Sequence, residues 1–266
     1  MNRTQLFSEA IKACILASRE ILKVYEGEIE VEMKDDRSPL TEADKRANAQ
    51  IVKILEGTSV PILSEEGAEV SFQERSSWTS FWLVDPLDGT KEFIKRNGEF
   101  TVNVALIEDN YPTFGVIYVP VTGLLYFGGV ELGGSFKLKT DSIDDLNLES
   151  LMKRSQKLPI EKANEKQARV VGSRSHMSPE TLEFVESLKA EGKEVEMVSM
   201  GSSLKICLVA EGSAEYYPRF APTMEWDTGA GQAIAEAAGR SLIDWTTKER
   251  KRYNNEILRN NWFLVN

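Results

Sequence analysis

The sequence predicts a mixed fold in two parts: helices on a mainly antiparallel sheet in the first half, and a layered α/β arrangement in the second. Three observations carry this. Apolar residues recur at helical spacing up to Leu55, the stretch from Val60 to Leu138 breaks into short β-rich runs punctuated by Pro and Gly, and from Ala168 onward strand and helix patterns alternate.

Leu6, Phe7, Ala10, Cys14, Ala17, Ile21 and Leu22 share one side of a first helix, and Ala43, Ala47, Ile51, Ile54 and Leu55 one side of a second that follows Thr41. Strands are predicted over Val60–Leu63, Phe81–Val84 and Thr101–Ile107. A hairpin of Thr113–Val119 and Leu124–Val130 turns at Pro120-Val121-Thr122-Gly123, and Gly133-Gly134 precedes a strand over Ser135–Leu138. Thr140–Gln167 is polar and poor in aromatics, which places a boundary or a solvated helical connection there and divides the chain into subdomains 1–138 and 139–266. Beyond it the pattern reads strand Ala168–Val171, helix Pro179–Ala190, strand Glu194–Val198, and helix Leu204–Ala210 capped by Ser202 or Ser203 and closed by Gly212. Strand Ala214–Tyr217, helix Asp227–Ala238 and strand Ser241–Ile243 follow.

The 266 residues include 32 Lys+Arg against 42 Asp+Glu, a formal net charge of −10. Nucleic-acid affinity comes largely from basic side chains displacing phosphate counterions, so no nucleic-acid polymer is expected as a partner. The hydrophobic fraction of 41% and charged fraction of 28% match globular domains and exclude disordered, collagenous and coiled-coil chains. Cys14 and Cys207 lie outside any C-x-x-C or Cys/His cluster, which fits a reducing cytoplasm and not a zinc site. With His176 the sole histidine, the chemistry must lean on carboxylates. Residues 1–25 carry Glu9, Lys12, Arg19 and Glu20 among apolar residues, an amphipathic helix without a signal-peptide core; peripheral contact with the inner membrane stays open. Tyr111–Val130 is a stretch of 20 residues without a charge, but Pro112, Gly115, Pro120, Gly123, Gly128 and Gly129 interrupt it, so a hairpin and no integral membrane segment is expected. A monomer and a homodimer both satisfy these features.

The densest chemical signal is Trp82-Leu83-Val84-Asp85-Pro86-Leu87-Asp88-Gly89-Thr90, an apolar strand running into a turn with two carboxylates three residues apart. Pro86 lacks an N–H, and the turn frees carbonyls such as Leu87 O from ladder pairing. Gly89 tolerates a φ that other residues resist, so the N–H groups of Gly89 and Thr90 can face an anion. Alone, D-P-x-D-G is also an ordinary surface turn. Two further features favour chemistry: Glu65-Glu66 follows the strand that ends at Leu63, and Asp227 opens a helix rich in Gly and Ala. Carboxylates gathered in one cleft repel one another unless cations are bound, and oxygen-only donors favour Mg²⁺ or Mn²⁺. Two such ions about 3.5–4 Å apart can activate a water and clamp phosphoryl oxygens, which points to metal-assisted phosphate ester hydrolysis.

Glu65-Glu66, then Asp85-Pro86-Leu87-Asp88-Gly89-Thr90, then Trp226-Asp227 resemble the inositol monophosphatase-like superfamily of lithium-sensitive, Mg²⁺-dependent phosphatases, over almost the whole chain. The resemblance implies a layered αβαβα sandwich of the sugar-phosphatase type and two or three Mg²⁺ ions, with Mn²⁺ as a substitute. It implies metal ligands at Glu65, Asp85, Asp88, Asp227 and the Leu87 carbonyl, with Glu66 a neighbour only. Glu65 and the Thr90–Asp44 pair would then orient and activate the attacking water.

Within the superfamily, the Lys-Glu of Asp88-Gly89-Thr90-Lys91-Glu92-Phe93 resembles the 3′(2′),5′-bisphosphate nucleotidase branch. So do Gly172-Ser173-Arg174-Ser175-His176, Ser202-Ser203-Leu204-Lys205 and Tyr217-Pro218-Arg219. That branch removes the 3′-phosphate of adenosine 3′,5′-bisphosphate, a by-product of sulfate assimilation, and the sulfonated relative is a second candidate. The resemblance puts His176 near the nucleoside and has Ser202, Lys205 and Arg219 hold the uncleaved phosphate, with Gly89, Thr90 and Asp227 completing the substrate contacts. The alternatives are an inositol or sugar monophosphatase of the same superfamily and a non-catalytic phosphate-ligand-binding protein.

Overall fold

A computed structural model of the protein describes residues 1–34, 39–161, 166–172 and 178–266. Helix α1 (Arg3–Tyr25) starts on an Asn2–Gln5 capping box. The short antiparallel pair β1 (Val31–Met33) and β2 (Pro39–Thr41) leads into α2 (Glu42–Leu55), whose Thr41 cap is closed by Asp44. The chain continues through β3 (Ile62–Ser64), α3 (Phe72–Arg75), β4 (Ser80–Asp88), α4 (Thr90–Ile94), β5 (Thr101–Glu108), β6 (Tyr111–Val119), β7 (Leu124–Gly129) and β8 (Gly134–Lys139). Next come α5 (Leu148–Arg154), β9 (Gln156–Lys157), β10 (Gln167–Gly172), α6 (Pro179–Ala190), β11 (Glu194–Ser199), α7 (Leu204–Glu211) and β12 (Tyr217–Arg219). Helix α8 (Gly229–Ala237), β13 (Leu242–Asp244) and β14 (Phe263–Val265) complete it.

Strands β3 to β9 form one seven-stranded sheet in sequence order, parallel between β3 and β4 and antiparallel elsewhere. Alternation along each strand feeds two cores. Trp82, Val84, Val102, Val104 and Leu106 face α1 and α2, whose Phe7, Ile11, Ile15, Ala47 and Ile51 are buried against them. Leu83, Ala105, Ile107 and Ile117 face the opposite way, toward Ile206, Cys207, Ala230 and Ile234 of α7 and α8. Helix α1 therefore spends its apolar side on the sheet. No helix among the described residues is long and apolar enough to cross a membrane.

Behind α7 and α8 stand the parallel pair β10–β11 and the three-stranded sheet β12-β14-β13, joined by a parallel bridge between Val170 and Tyr216. Val185 and Leu188 of α6 close the far side against Ala168 and Val170. The order helix, sheet, helix, sheet, helix is the expected αβαβα sandwich.

Several boundaries differ from the expectation for local reasons. The helix expected from Asp227 starts at Gly229, because Glu225–Asp227 form a 3₁₀ turn in which Asp227 Oδ2 accepts the Met224 N–H (2.8 Å). The strand expected over Ala214–Tyr217 is Tyr217–Arg219, and β14 was masked in the sequence by the polar residues that precede it. Ser203 is the N-cap residue of α7, but its hydroxyl makes no capping bond and turns to Asn103 instead.

Candidate active site

The site begins with an irregularity in β4. Asp85 lies opposite Asn103 and Asp88 opposite Thr101, so one extra residue is inserted where Pro86 cannot donate to the ladder. The bulge re-aims both acids, and the Leu87 N–H folds back onto Asp85 Oδ1 (3.1 Å). Gly89 then adopts φ +92°, and a Cβ there would meet Glu99 O and Ser202 Cβ at 3.3 Å. The left-handed φ is the reason for glycine, and the tight contacts add to it.

Oxygen atoms of Asp85, Asp88 and Asp227 lie within 4.8 Å of one another. Burial, reinforced by Glu65, Asp88, Asp227 and Asp44, holds the Asp85 carboxyl well above the usual range. Burial and the charge of Asp88 push Asp227 up to about 8. Such a group must take up either protons or cations, and its all-oxygen donor set is that of a hard divalent ion. The residues present fit the metal that the sequence implies.

Glu65 stands beside this trio, since its charge acts on Asp85 and Asp227, but it is not one of the three within 4.8 Å. Its Oε1 accepts from Lys34 Nζ (2.9 Å), which also pairs with Glu66. Burial opposes the Lys34 ammonium, but the two glutamates outweigh it and raise its pKa. Burial also raises Glu65, against the pull of Lys34. Asp44 Oδ2 accepts from Thr41 N (2.8 Å) and Thr41 Oγ1 (2.6 Å), while Oδ1 accepts from Thr90 Oγ1 (3.4 Å). Burial lifts the Asp44 carboxyl above its ordinary value despite those bonds.

A cavity of about 530 Å³ opens on this cluster, lined by Asp88, Gly89 and Asp227 on one side and Ser202, Lys205 and Arg219 on another. Burial lowers the Lys205 pKa, with Asp88 opposing and Arg219 adding to it. Arg219 Nη2 donates to Pro222 O (3.2 Å), and its buried Nε has no partner among the described residues. The Ser202 hydroxyl is committed to Asp88 Oδ2 (2.6 Å). His176 lies outside the described residues.

The model of the inositol monophosphatase family matches residues 2–264. The chain belongs to the inositol monophosphatase family. It is 44% identical over 236 residues to the 3′(2′),5′-bisphosphate nucleotidase CysQ of Salmonella typhimurium, covering 87% of each chain. The crystal structure of CysQ from Bacteroides thetaiotaomicron, a bacterial member of this family, superposes with a TM-score of 0.87 at 48% identity, covering 97% of this chain and 95% of that one. The suhB protein of Bartonella henselae, at 20% identity and a TM-score of 0.73 over 98% and 93% of the two chains, shares the fold.

Two residues beside the candidate site were not singled out from the sequence. Lys34 was one lysine ahead of a run of charges, and only the fold sets it against Glu65 and Glu66. Asn103 had a visible signal: it is a polar residue in the apolar strand Thr101–Ile107, at a position whose neighbours in alternation face the second core.

Proposed function

We infer that the protein is a Mg²⁺-dependent phosphatase that hydrolyses the 3′-phosphate of adenosine 3′,5′-bisphosphate to AMP and phosphate. The observation that carries the reading is one cavity lined by Asp88 and Asp227 of the acidic cluster and by basic side chains, among them Lys205 and Arg219. A substrate with two phosphates needs one held at bound cations and the other held by basic side chains, and Arg and Lys suit the second. The nucleotidase names of relatives at 43–44% identity support the same substrate.

Asp85, Asp88, Asp227, Glu65 and the Leu87 carbonyl would hold two or three Mg²⁺ ions, or Mn²⁺ in their place. When bound, the ions neutralise phosphoryl oxygens, lower the pKa of water and stabilise the leaving oxygen. The protein's own residues supply positioning and a route for the proton. The attacking water gives its proton to Thr90 Oγ1 as Thr90 passes its own to Asp44 Oδ1, across the 3.4 Å contact. Asp44 suits this because burial favours its protonated form. Lys34 holds Glu65 through its ammonium. Lys205 and Arg219 bind the 5′-phosphate, and the N–H groups of Gly89 and Thr90 face the phosphate that is cleaved.

Phosphate release with Mg²⁺ tests this, comparing adenosine 3′,5′-bisphosphate with inositol 1-phosphate and using Asp88→Asn as the blank. Preference for the nucleotide is expected. Preference for the inositol ester would keep the metal site and retire the nucleotidase assignment, and phosphate release by Asp88→Asn at the wild-type rate would remove the metal assignment.

A further inference from the structure

Asp88 is held from behind by a buried polar cluster. Its Oδ2 accepts the Ser203 N–H (2.6 Å), the Ser202 hydroxyl (2.6 Å) and Asn103 Nδ2 (3.4 Å). Asn103 is 1% exposed, and its Oδ1 in turn accepts from Ser203 Oγ (2.9 Å) and Thr101 Oγ1 (2.9 Å). Thr101 Oγ1 also lies 2.7 Å from Ser202 Oγ and 2.8 Å from Ser203 Oγ. A buried polar side chain in a strand costs stability unless its bonds are made, and Asn103 makes them at both ends of its amide.

We propose that Asn103 is a positioning residue, which with Thr101 orients the Asp88 carboxylate toward the metal cluster and ties it to the start of α7. The donor count supports this. A carboxylate only accepts, so the three donors engage Oδ2 and leave Oδ1 to the cluster. The amide of Asn103 has one donor end and one acceptor end. With Asp88 fixing the donor end, the acceptor end must face the hydroxyls of Thr101 and Ser203, as it does. Strand register makes the same link, since β5 sets Thr101 opposite Asp88 and Asn103 opposite Asp85, on either side of the bulge. The Ser202–Ser203 pair that completes the cluster opens the helix bearing Lys205, with Ser202 at a left-handed φ of 53°. Asp88 and the cationic side of the cavity are thereby built as one unit.

This inference rests on the metal-binding role of Asp88 and extends it to a residue behind the ligand. Partners of this kind hold ligand orientation, and their loss typically costs about 10- to 100-fold in metal affinity. The test is Mn²⁺ binding to the full chain, read by electron paramagnetic resonance of the free ion without substrate, for wild type, Asp88→Asn, Asn103→Leu and Thr101→Val. Asn103→Leu removes donor and acceptor at similar volume, and affinity is expected to fall within that range. The Mg²⁺ activation curve for phosphate release should move to higher concentration by the same factor, while KM for the bisphosphate at saturating Mg²⁺ stays near wild type. Thr101→Val should shift affinity in the same direction by less, and it carries the test if Asn103→Leu does not fold. A lower melting temperature with wild-type Mn²⁺ affinity in both variants is a purely structural role and overturns the inference. Wild-type affinity in Asp88→Asn instead would overturn the metal reading itself.

Discussion

The Thr90 hydroxyl reaches Asp44 Oδ1 across 3.4 Å, joining the first turn of α4 to the first turn of α2. Asp44 has its other oxygen closed by the N–H and hydroxyl of Thr41, so Oδ1 is the oxygen that meets Thr90. The same carboxylate caps α2 and meets the Thr90 hydroxyl, with the cap fixing its rotamer.

If that pair moves the proton of the attacking water, Asp44→Asn and Thr90→Val should lower kcat by about 10²- to 10⁴-fold, the usual weight of a positioned acid or base. KM for adenosine 3′,5′-bisphosphate should barely move, because neither residue is assigned to the 5′-phosphate. Steady-state kinetics of the two variants check this, and a change confined to KM would give the pair a binding role instead.

Lys205 and Arg219 should discriminate by phosphate count. Each charge-assisted bond is worth about 1.5–3 kcal/mol, so Lys205→Met or Arg219→Met should reduce kcat/KM for the bisphosphate by roughly 10- to 100-fold. Turnover of 3′-AMP, which lacks the 5′-phosphate, should change little. Equal losses on both substrates would remove these side chains from the second-phosphate pocket.

The acidic cluster sets a pH dependence that metal should reverse. Asp227 is raised from 3.8 to about 8 by burial first and by Asp88 second. A carboxyl raised in the folded state contributes stability that is full below its unfolded value and is lost as pH rises through the folded one. The metal-free protein should therefore weaken between about pH 4 and 8, and Mg²⁺ should restore most of the loss near pH 8. Mg²⁺ binding should also release protons at pH 6.5 and nearly none at pH 9. Calorimetric titration in buffers of different ionisation enthalpy counts them, and equal release at the two pH values would contradict an Asp227 carboxyl raised to about 8.

Much of this site was legible because its residues fall in short runs with their own local logic. Asp85, Asp88 and Gly89 occupy one turn, and Pro86 marks the break in the ladder from sequence alone. Asp227 was legible as an acid beside a small-residue helix, although the 3₁₀ turn that holds it depends on Met224 N and on Asn260 Nδ2, which donates to Met224 O (2.6 Å). What stayed hidden depends on long-range closure. Lys34 meets Glu65 across 31 positions, and Ser202 meets Asp88 across 114, distances over which no periodicity carries information. The same holds for β14, an apolar run of three residues too short to show an alternation, whose pairing with β12 and β13 is long-range.

Gly115 shows how far the site depends on packing away from it. In the sequence it served to interrupt an uncharged stretch, but in the fold a Cβ there would fall 2.2 Å from Ala230 O, because the backbone of α8 rests directly on β6. Asp227 precedes α8 by two residues, so the seating of that helix sets the distance from Asp227 to Asp85 and Asp88. Gly115→Ala forces the helix off the sheet and should cost about 1–3 kcal/mol, the range for overpacking a close-fitted core. Its melting temperature should drop, and half-saturation by Mg²⁺ should rise because the third carboxylate is displaced. Gly57→Ala, where an added Cβ meets nothing within 4 Å, is the control and should change neither. A Gly115→Ala protein that melts earlier yet keeps wild-type Mg²⁺ activation would mean that the 3₁₀ turn at Glu225–Asp227 holds Asp227 without help from α8.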